Sequence, residues 1–286
     1  MSAFLSYVLH GIATGSSFAL VASGLVIIYR VTRVVNLAQG TFAVFAAFMA
    51  ATLLGAGLPH GAAEILAVLV AAILGLLAGV VAVGKRGTSP QASLIATLGF
   101  AIFCYALEIL IWGDQPQSFP GLAGSFEYLE LEFPKQYAVI VVVTLVVFAL
   151  LEAFFEWTYV GKALTACASN PYAATLVGIG VVRMSLLGFM LGGALGGIAG
   201  VLIAPLSPMS YDSDLSLFVN GFASAILAGL KRPVFALAGG LVLGIVEALI
   251  AGYAKASYQS ALALLLTLAI LVVQAARRPA LQGSEE

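Results

Sequence analysis

The chain has 286 residues, 62% of them hydrophobic and only 9% charged, with a formal net charge of −1 and a mean hydropathy of +1.10. That composition exceeds what a soluble domain of this length tolerates and assigns the chain to the polytopic membrane proteins. A closed barrel would show short alternating strands, whereas the apolar runs here are long and continuous, so the expected fold class is all-α.

A spanning helix needs about 20 predominantly apolar residues. Nine windows meet that description, at 4–29, 34–55, 61–84, 91–112, 136–157, 184–204, 216–230, 234–253 and 259–276, with the seventh the shortest. The first has no basic residues before it and no small-residue cleavage signature after it, so it reads as a retained helix. Basic residues fix the orientation. Arg30, Arg33, Lys85, Arg86, Lys162, Arg183, Lys231, Arg232, Arg277 and Arg278 all fall on one side if nine helices cross. Lys135 and Lys255 fall on the other, with the acidic stretch 113–135 and the Asp212, Asp214 turn. The expectation is an external N-terminus, a cytoplasmic C-terminus and an external loop at 113–135 within a single membrane domain, 1–286.

The second window opens with amides: Asn36, Gln39 and Thr41 precede a long apolar run. Read as a helix, the stretch places Asn36 one turn from Gln39 and Gly40, so the amides share a face that must meet protein or water, not lipid. That face either lines the cytoplasmic mouth of a solute pathway or makes ordinary interhelical hydrogen bonds. The third window ends in GVVAVGKR, residues 79–86, which imitates a P-loop but has Arg86 where Ser or Thr is required and begins inside an apolar helix. Cys104 lies in the fourth window and Cys167 in the segment 158–183 expected on the cytoplasmic side, a separation that argues against a disulfide. His10 and His60 are isolated, and no metal site is expected.

The segment 158–183 is rich in alanine and small residues and predicts a short helical hairpin, with Asn170 and Pro171 capping and starting its second helix, Gly178 ending it, and Gly161 and Gly178 setting the bends. It is either an interfacial connector or a docking surface for a soluble partner, to which Lys162 would offer a charge. In the sixth window Gly188, Gly192, Gly196 and Gly200 share one stripe, with Gly193 and Gly197 beside it; similar pairs occur at Gly11 and Gly15, Gly75 and Gly79, and Gly240 and Gly244. Small residues at this spacing let helix backbones approach closely in lipid. Charges inside the windows sit toward helix ends: Glu108 one turn from Trp112, Glu152 and Glu156 at the inner end of theirs, and Glu64 at the start of its own. Glu247 is the deepest, a candidate for function or for an interhelical hydrogen bond. No buried acidic cluster or nucleotide motif supplies an energy source, and no nucleophile with a base suggests an enzyme.

The ordered set GLVIIYRVTRVVNLAQGTFAVFAAF, GKALTACASNPYAATLVGI, the glycine-rich helix and GGLVLGIVEALIAGY resembles the LivH-type permease family of branched-chain amino acid ABC importers over almost the whole chain. The family's Asn-x-Ala-(His/Gln)-Gly signature is matched by Asn36, Ala38, Gln39 and Gly40. Its cytoplasmic pattern falls on Gly161, Lys162, Ala163, Ala166, Ala168, Asn170, Pro171, Gly178 and Ile179. Thr165 stands where Arg is frequent, and Lys231 and Arg232 where small residues are usual.

The resemblance implies a multi-pass permease of the bacterial inner membrane, working with a second related LivM-like permease, two cytoplasmic ATPases and an external substrate-binding protein. ATP and magnesium would be bound by the ATPases and no cofactor by this chain. Lipid, and no nucleic acid, completes the expected surroundings. Asn36, Gln39, Gly40 and Glu247 are the translocation or gating candidates. Gly161, Lys162, Asn170, Pro171 and Gly178 are the candidates for ATPase coupling. The solute would be a branched-chain or related amino acid, or a similar small neutral or zwitterionic molecule; the alternative is a stand-alone ion-coupled secondary transporter.

Overall fold

The computed structural model describes residues 2–83, 89–122, 124–128, 131–253 and positions 265, 268, 269 and 272. The helices are α1 Ser2–Thr32, α2 Gln39–Gly55, α3 Ala62–Val83, α4 Pro90–Trp112, α5 Lys135–Trp157, α6 Tyr159–Ser169, α7 Pro171–Leu176, α8 Val181–Ile203, α9 Ser213–Leu227 and α10 Ala236–Tyr253. Strands β1 Ser125–Tyr128 and β2 Leu131–Pro134 form an antiparallel hairpin between α4 and α5, with Ser125 opposite Pro134.

Among the described residues six helices are long and apolar enough to cross a membrane, α1, α3, α4, α5, α8 and the segment Pro233–Tyr253 that contains α10. The helices α2 and α9 are apolar but shorter, at 17 and 15 residues. At 1.5 Å per residue α9 is about 22 Å long, less than the roughly 30 Å hydrocarbon layer. Eight of the nine apolar windows thus correspond to helices. The ninth, with Lys255, Arg277 and Arg278, lies outside the described residues but for the four isolated positions, and so do Lys85 and Arg86.

Two helices form the centre. Against α1 pack α10, α8, α9 and α5, while α8 also carries α2 and α3. Close approach is what makes this possible. A methyl group on Gly200 of α8 would fall on the carbonyl oxygen of Ala43 in α2, and one on Gly193, on the adjoining row, would fall on that of Ala71 in α3. The glycine stripe is therefore two stripes, one for each neighbour. Gly192 and Gly196 join the α1 and α2 side, against Ile28, Gln39 and Phe42, whereas Gly188 has only ordinary contact with Ile27. The pairs Gly11 with Gly244 and Gly15 with Gly240 bring α1 and α10 together in the same way. Small residues at the interface substitute for the hydrophobic drive that lipid removes.

Two local expectations are corrected. The second apolar window is not helical from its start, because α1 continues to Thr32 and Arg33 then turns the chain with φ of 59°. The Asn36 side chain accepts from Ala38 N at 3.2 Å, holding a turn that delays α2 until Gln39. In the hairpin segment the bend between α5 and α6 falls at Thr158, whose extended backbone and Oγ1, accepting from Gly161 N at 2.9 Å, cap α6. Gly161 sits inside the first turn of α6, where any side chain would meet the carbonyl oxygen of Phe154. The second helix starts as expected: Asn170 Oδ1 accepts from Ala173 N at 3.0 Å, Pro171 occupies the first turn, and Gly178 follows the helix with φ of 84°.

Candidate functional site

Among the polar side chains buried in the helix bundle, three groups include the candidate residues or an unpaired carboxyl. The first is the entrance to α2. Asn36 and Gln39 are fully buried within the chain. Asn36 Nδ2 donates to Gln39 Oε1 at 3.3 Å, and Gln39 Nε2 donates across the interface to the carbonyl oxygen of Gly192 at 2.8 Å. Leu37 N donates to Thr97 Oγ1 of α4 at 3.3 Å. The amides therefore pin the non-helical link to α8 and α4, and the absence of a side chain at Gly192 and Gly196 makes room for Gln39. Beside them Gly40 abuts the carbonyl oxygen of Asp214, and Thr41 Oγ1 donates to Asp214 Oδ2 at 3.2 Å. Gly40 is thus a point of closest backbone approach between α2 and α9.

The second place is Glu247 on α10, buried against α9, where its Oε2 accepts from Asn220 Nδ2 at 3.4 Å. The interhelical hydrogen bond considered for Glu247 is present. Glu247 stands on a different helix pair from Asn36 and Gln39, so the four gating candidates do not converge on one point.

The third place is Glu108 on α4, which the sequence sets one turn from Trp112 near a helix end. It is fully buried, and neither carboxyl oxygen has a hydrogen-bond partner among the described residues. Its signal was there in the spacing: Ser93, Thr97, Ala101, Cys104 and Glu108 fall on one buried face of α4.

The α6–α7 hairpin lies at the end of α1 that carries Arg30 and is followed by Arg33. Leu164, Cys167 and Ala174 bury against Val31, with Phe154, Phe155 and Met184 around them. Burial pushes the Cys167 thiol up from its ordinary value, so it packs there as a neutral apolar group. Arg33 Nη2 donates to the carbonyl oxygen of Ala168 at 2.8 Å, joining the last turn of α6 to the start of the amide link. This tether has no sequence signature. The outer surface of the hairpin is unpacked: Tyr159, Tyr172, Leu176 and Val177 are largely exposed, and Lys162, Asn170 and Pro171 are exposed beside them.

Of the two histidines, His60 pairs locally with Glu64 at 2.8 Å, and His10 of α1 reaches the Tyr137 hydroxyl of α5 at 3.2 Å. Arg232 approaches Glu152 at 3.8 Å.

A helical bundle with glycine-packed central helices, six helices long and apolar enough to cross a membrane among the described residues, and a capped hairpin at one end defines a multi-pass membrane protein. Residues 7–273 match the family described as branched-chain amino acid transport system, permease component, and the chain belongs to that family. It is 28% identical to the high-affinity branched-chain amino acid transport system permease protein LivH of Salmonella typhimurium, over 94% of this chain and 93% of that protein. It is 31% identical to a probable branched-chain amino acid transport permease protein LivH of Methanocaldococcus jannaschii, over 84% and 78% of the two chains. Similarity to BraD of Pseudomonas aeruginosa, a high-affinity branched-chain amino acid transport system permease protein, is 27% over 94% and 93%. The fold resembles that of a chain in the structure of PsaBC from Streptococcus pneumoniae in complex with Fab, with a TM-score of 0.54, 14% identity and coverage of 94% and 90%. As a member of this family the chain is a permease component, which acts with the other subunits of a transport system.

Proposed function

We propose that this chain is the permease subunit of an ATP-binding-cassette importer for branched-chain or closely related amino acids, seated in the bacterial inner membrane. It would form the solute pathway with a second, LivM-like permease, receive solute from an external binding protein, and be driven by two cytoplasmic ATPases that hold the ATP and magnesium. The observation that carries the reading is the match to the permease family over residues 7–273. The mechanism of coupling rests on the hairpin. Its exposed face offers Tyr159, Tyr172, Leu176 and Val177 with the cation of Lys162, a mixed surface suited to a groove on an ATPase.

On this reading Gly161 fixes α6 closely to α5, while Asn170, Pro171 and Gly178 fix α7, so a push on the hairpin moves it as a unit. Arg33 then carries the displacement to Asn36, Gln39 and Gly40. Those three, with Glu247, act as the gating residues, exchanging the hydrogen bonds of one packed state for those of another. Coupling of about 1–3 kcal/mol between such sites is ordinary.

A Lys162→Glu, Asn170→Ala double variant should insert normally yet fail to retain the ATPases, or hydrolyse ATP without solute uptake. Wild-type uptake by that variant would show the docking assignment to be wrong. Accumulation of leucine against a gradient by the chain alone in liposomes would replace the importer reading with an ion-coupled one. The nine-helix topology over a single 1–286 domain, with the N-terminus and loop 113–135 outside and segment 158–183 and the C-terminus inside, has its own test. In a background without Cys104 and Cys167, an impermeant thiol reagent applied to intact cells should label a cysteine placed at Ser125 and not one at Ser169.

A further inference from the structure

A cavity of about 490 Å3 lies at the end of the bundle opposite the α6–α7 hairpin, and neither the gating candidates nor the coupling route touches it. The last turns of α8 form its floor, the first turns of α3 and α5 its walls, and Phe119 and Leu122 of the preceding loop its cap. The helices α3 and α5 each contact α8 but are not a closely packed pair with each other. Where they part, the cavity opens sideways: Ile65 and Leu69 of its α3 wall are 63% and 53% exposed. Polarity is graded along it. His60, Glu64 and Gln136 stand at the helix ends, and every other lining side chain is apolar. Those three polar groups are already bonded within the protein. His60 Nδ1 pairs with Glu64 Oε1 at 2.8 Å, and Gly61 N donates to Glu64 Oε2. Gln136 accepts from Leu122 N at 3.3 Å and donates to the carbonyl oxygen of Leu202 at 3.1 Å. A side chain on Gly121 would strike Gln136 Oε1, so glycine lets the loop close that end.

We propose that this cavity is a binding site for an acyl chain of a membrane phospholipid, recognised by its hydrocarbon and not by its headgroup. A charged or zwitterionic solute would set its charges against an apolar wall with no partner for them. A spanning helix of another subunit is about 10–12 Å across with its side chains and needs a groove through the roughly 30 Å hydrocarbon layer. The cavity follows α5 only from Gln136 to Val143, about 10 Å at 1.5 Å per residue. A lipid chain is thinner, reaches the opening between α3 and α5 from the bilayer, and places its polar end at the helix ends, where His60 and Glu64 stand. It restores the dispersion contacts that an empty apolar cavity forgoes. The bound chain bridges two helices that the protein itself leaves apart, which makes it a structural component distinct from the surrounding bilayer. The site holds whichever solute the permease carries.

The test is photo-crosslinking of the full-length chain, purified with whatever partner subunits accompany it and placed in nanodiscs. The probes are phosphatidylethanolamine and phosphatidylglycerol, each with a diazirine in the upper half of one acyl chain. Peptide mapping should find segments 65–69 and 139–143 labelled several-fold more than Leu110, an exposed residue near the end of α4 on the same side of the bundle. Both headgroups should give this pattern equally. Val143→Phe narrows the cavity and should cut labelling of 65–69 several-fold while leaving Leu110 unchanged. Leu69→Phe, from the opposite wall, should do the same for 139–143 and serves if Val143→Phe fails to accumulate. Walls labelled no more than Leu110 overturn the site, bulk lipid accounting for equal labelling and a covering partner subunit for none. Wall labelling that survives both substitutions also overturns it. Labelling by one headgroup alone overturns recognition through the chain.

Discussion

Compare α1 with α5. Each is long and apolar enough to span the bilayer, yet 89% of the best spanning stretch of α1 is buried in the protein and only 22% of that of α5. The more hydropathic of the two is the exposed one. α1 carries Gly11, Thr14, Gly15, Ser16, Ser17, Ser23 and Gly24 along its length, while α5 is largely Val, Leu and Phe. The same inversion separates α8 from α3, of which α3 is the more apolar and the less buried. In a bilayer the solvent is as apolar as leucine, so greasiness no longer marks the inside; smallness and polarity do. The interior of this protein is built from groups that allow backbones to touch and from side chains that need a partner.

The hardest test of that contrast is a matched pair of glycines. Gly200→Leu drives a side chain into the carbonyl of Ala43 and should destabilise the protein by about 3 kcal/mol or prevent its accumulation. Gly99→Leu on α4, where nothing lies within 4 Å, should leave the melting temperature unchanged or raise it. Equal effects at the two positions would erase the distinction between inner and outer helices. Next in size is Gln39→Leu, which adds apolar surface and removes the bonds to Gly192 and Asn36. Leaving buried polar groups unpaired should cost about 2 kcal/mol in thermal or denaturant unfolding, although the variant is more hydrophobic.

Arg33 sharpens the comparison at the edge of the bundle. Arg33→Ala loses the bond to Ala168 and keeps an unfavourable backbone, at a cost of about 1 kcal/mol. Arg33→Gly should recover most of that stability, because glycine accepts the positive φ, and should not recover ATP-driven uptake. If Arg33→Gly transports normally, the tether has no part in coupling. The smallest effect is expected on the lipid side, where Leu150→Ala at an exposed position of α5 should change stability by less than about 0.5 kcal/mol.

The sequence made the helices legible and left their faces obscure. Eight apolar windows became helices, six of them long enough to cross because length and hydropathy answer to the thickness of the bilayer, while α2 and α9 fall short of it. Asn170, Pro171 and Gly178 performed their expected local roles because caps and positive φ are decided within a few residues. Asn36 was misread as helical because an apolar run cannot reveal that its own side chain will hold a turn and that Arg33 will reverse the backbone before it. The depth of Glu108 is not legible from its distance to a helix end, because a neighbouring helix, here α2 packed on Trp112, covers that end. The Gln39 bond to Gly192 spans 153 residues of sequence and the Arg33 bond to Ala168 spans 135, and nothing local announces either. The helical spacing of Ser93, Thr97, Ala101, Cys104 and Glu108 on α4 is the sequence feature that does mark a buried face.

The backbone contact between Gly200 and Ala43 also has a genetic consequence. Glycine is the smallest residue the code offers, so a missense change in its codon can only enlarge it, and no replacement at Gly200 is conservative in shape. An exposed leucine of α5 can exchange with valine, isoleucine, methionine or phenylalanine and still face lipid. Under random mutagenesis with selection for uptake, surviving alleles should therefore crowd onto the outer helices, and the glycine columns of α8 and α10 should stand out as gaps in the spectrum. A map of those gaps would trace the interior of the protein without any coordinates.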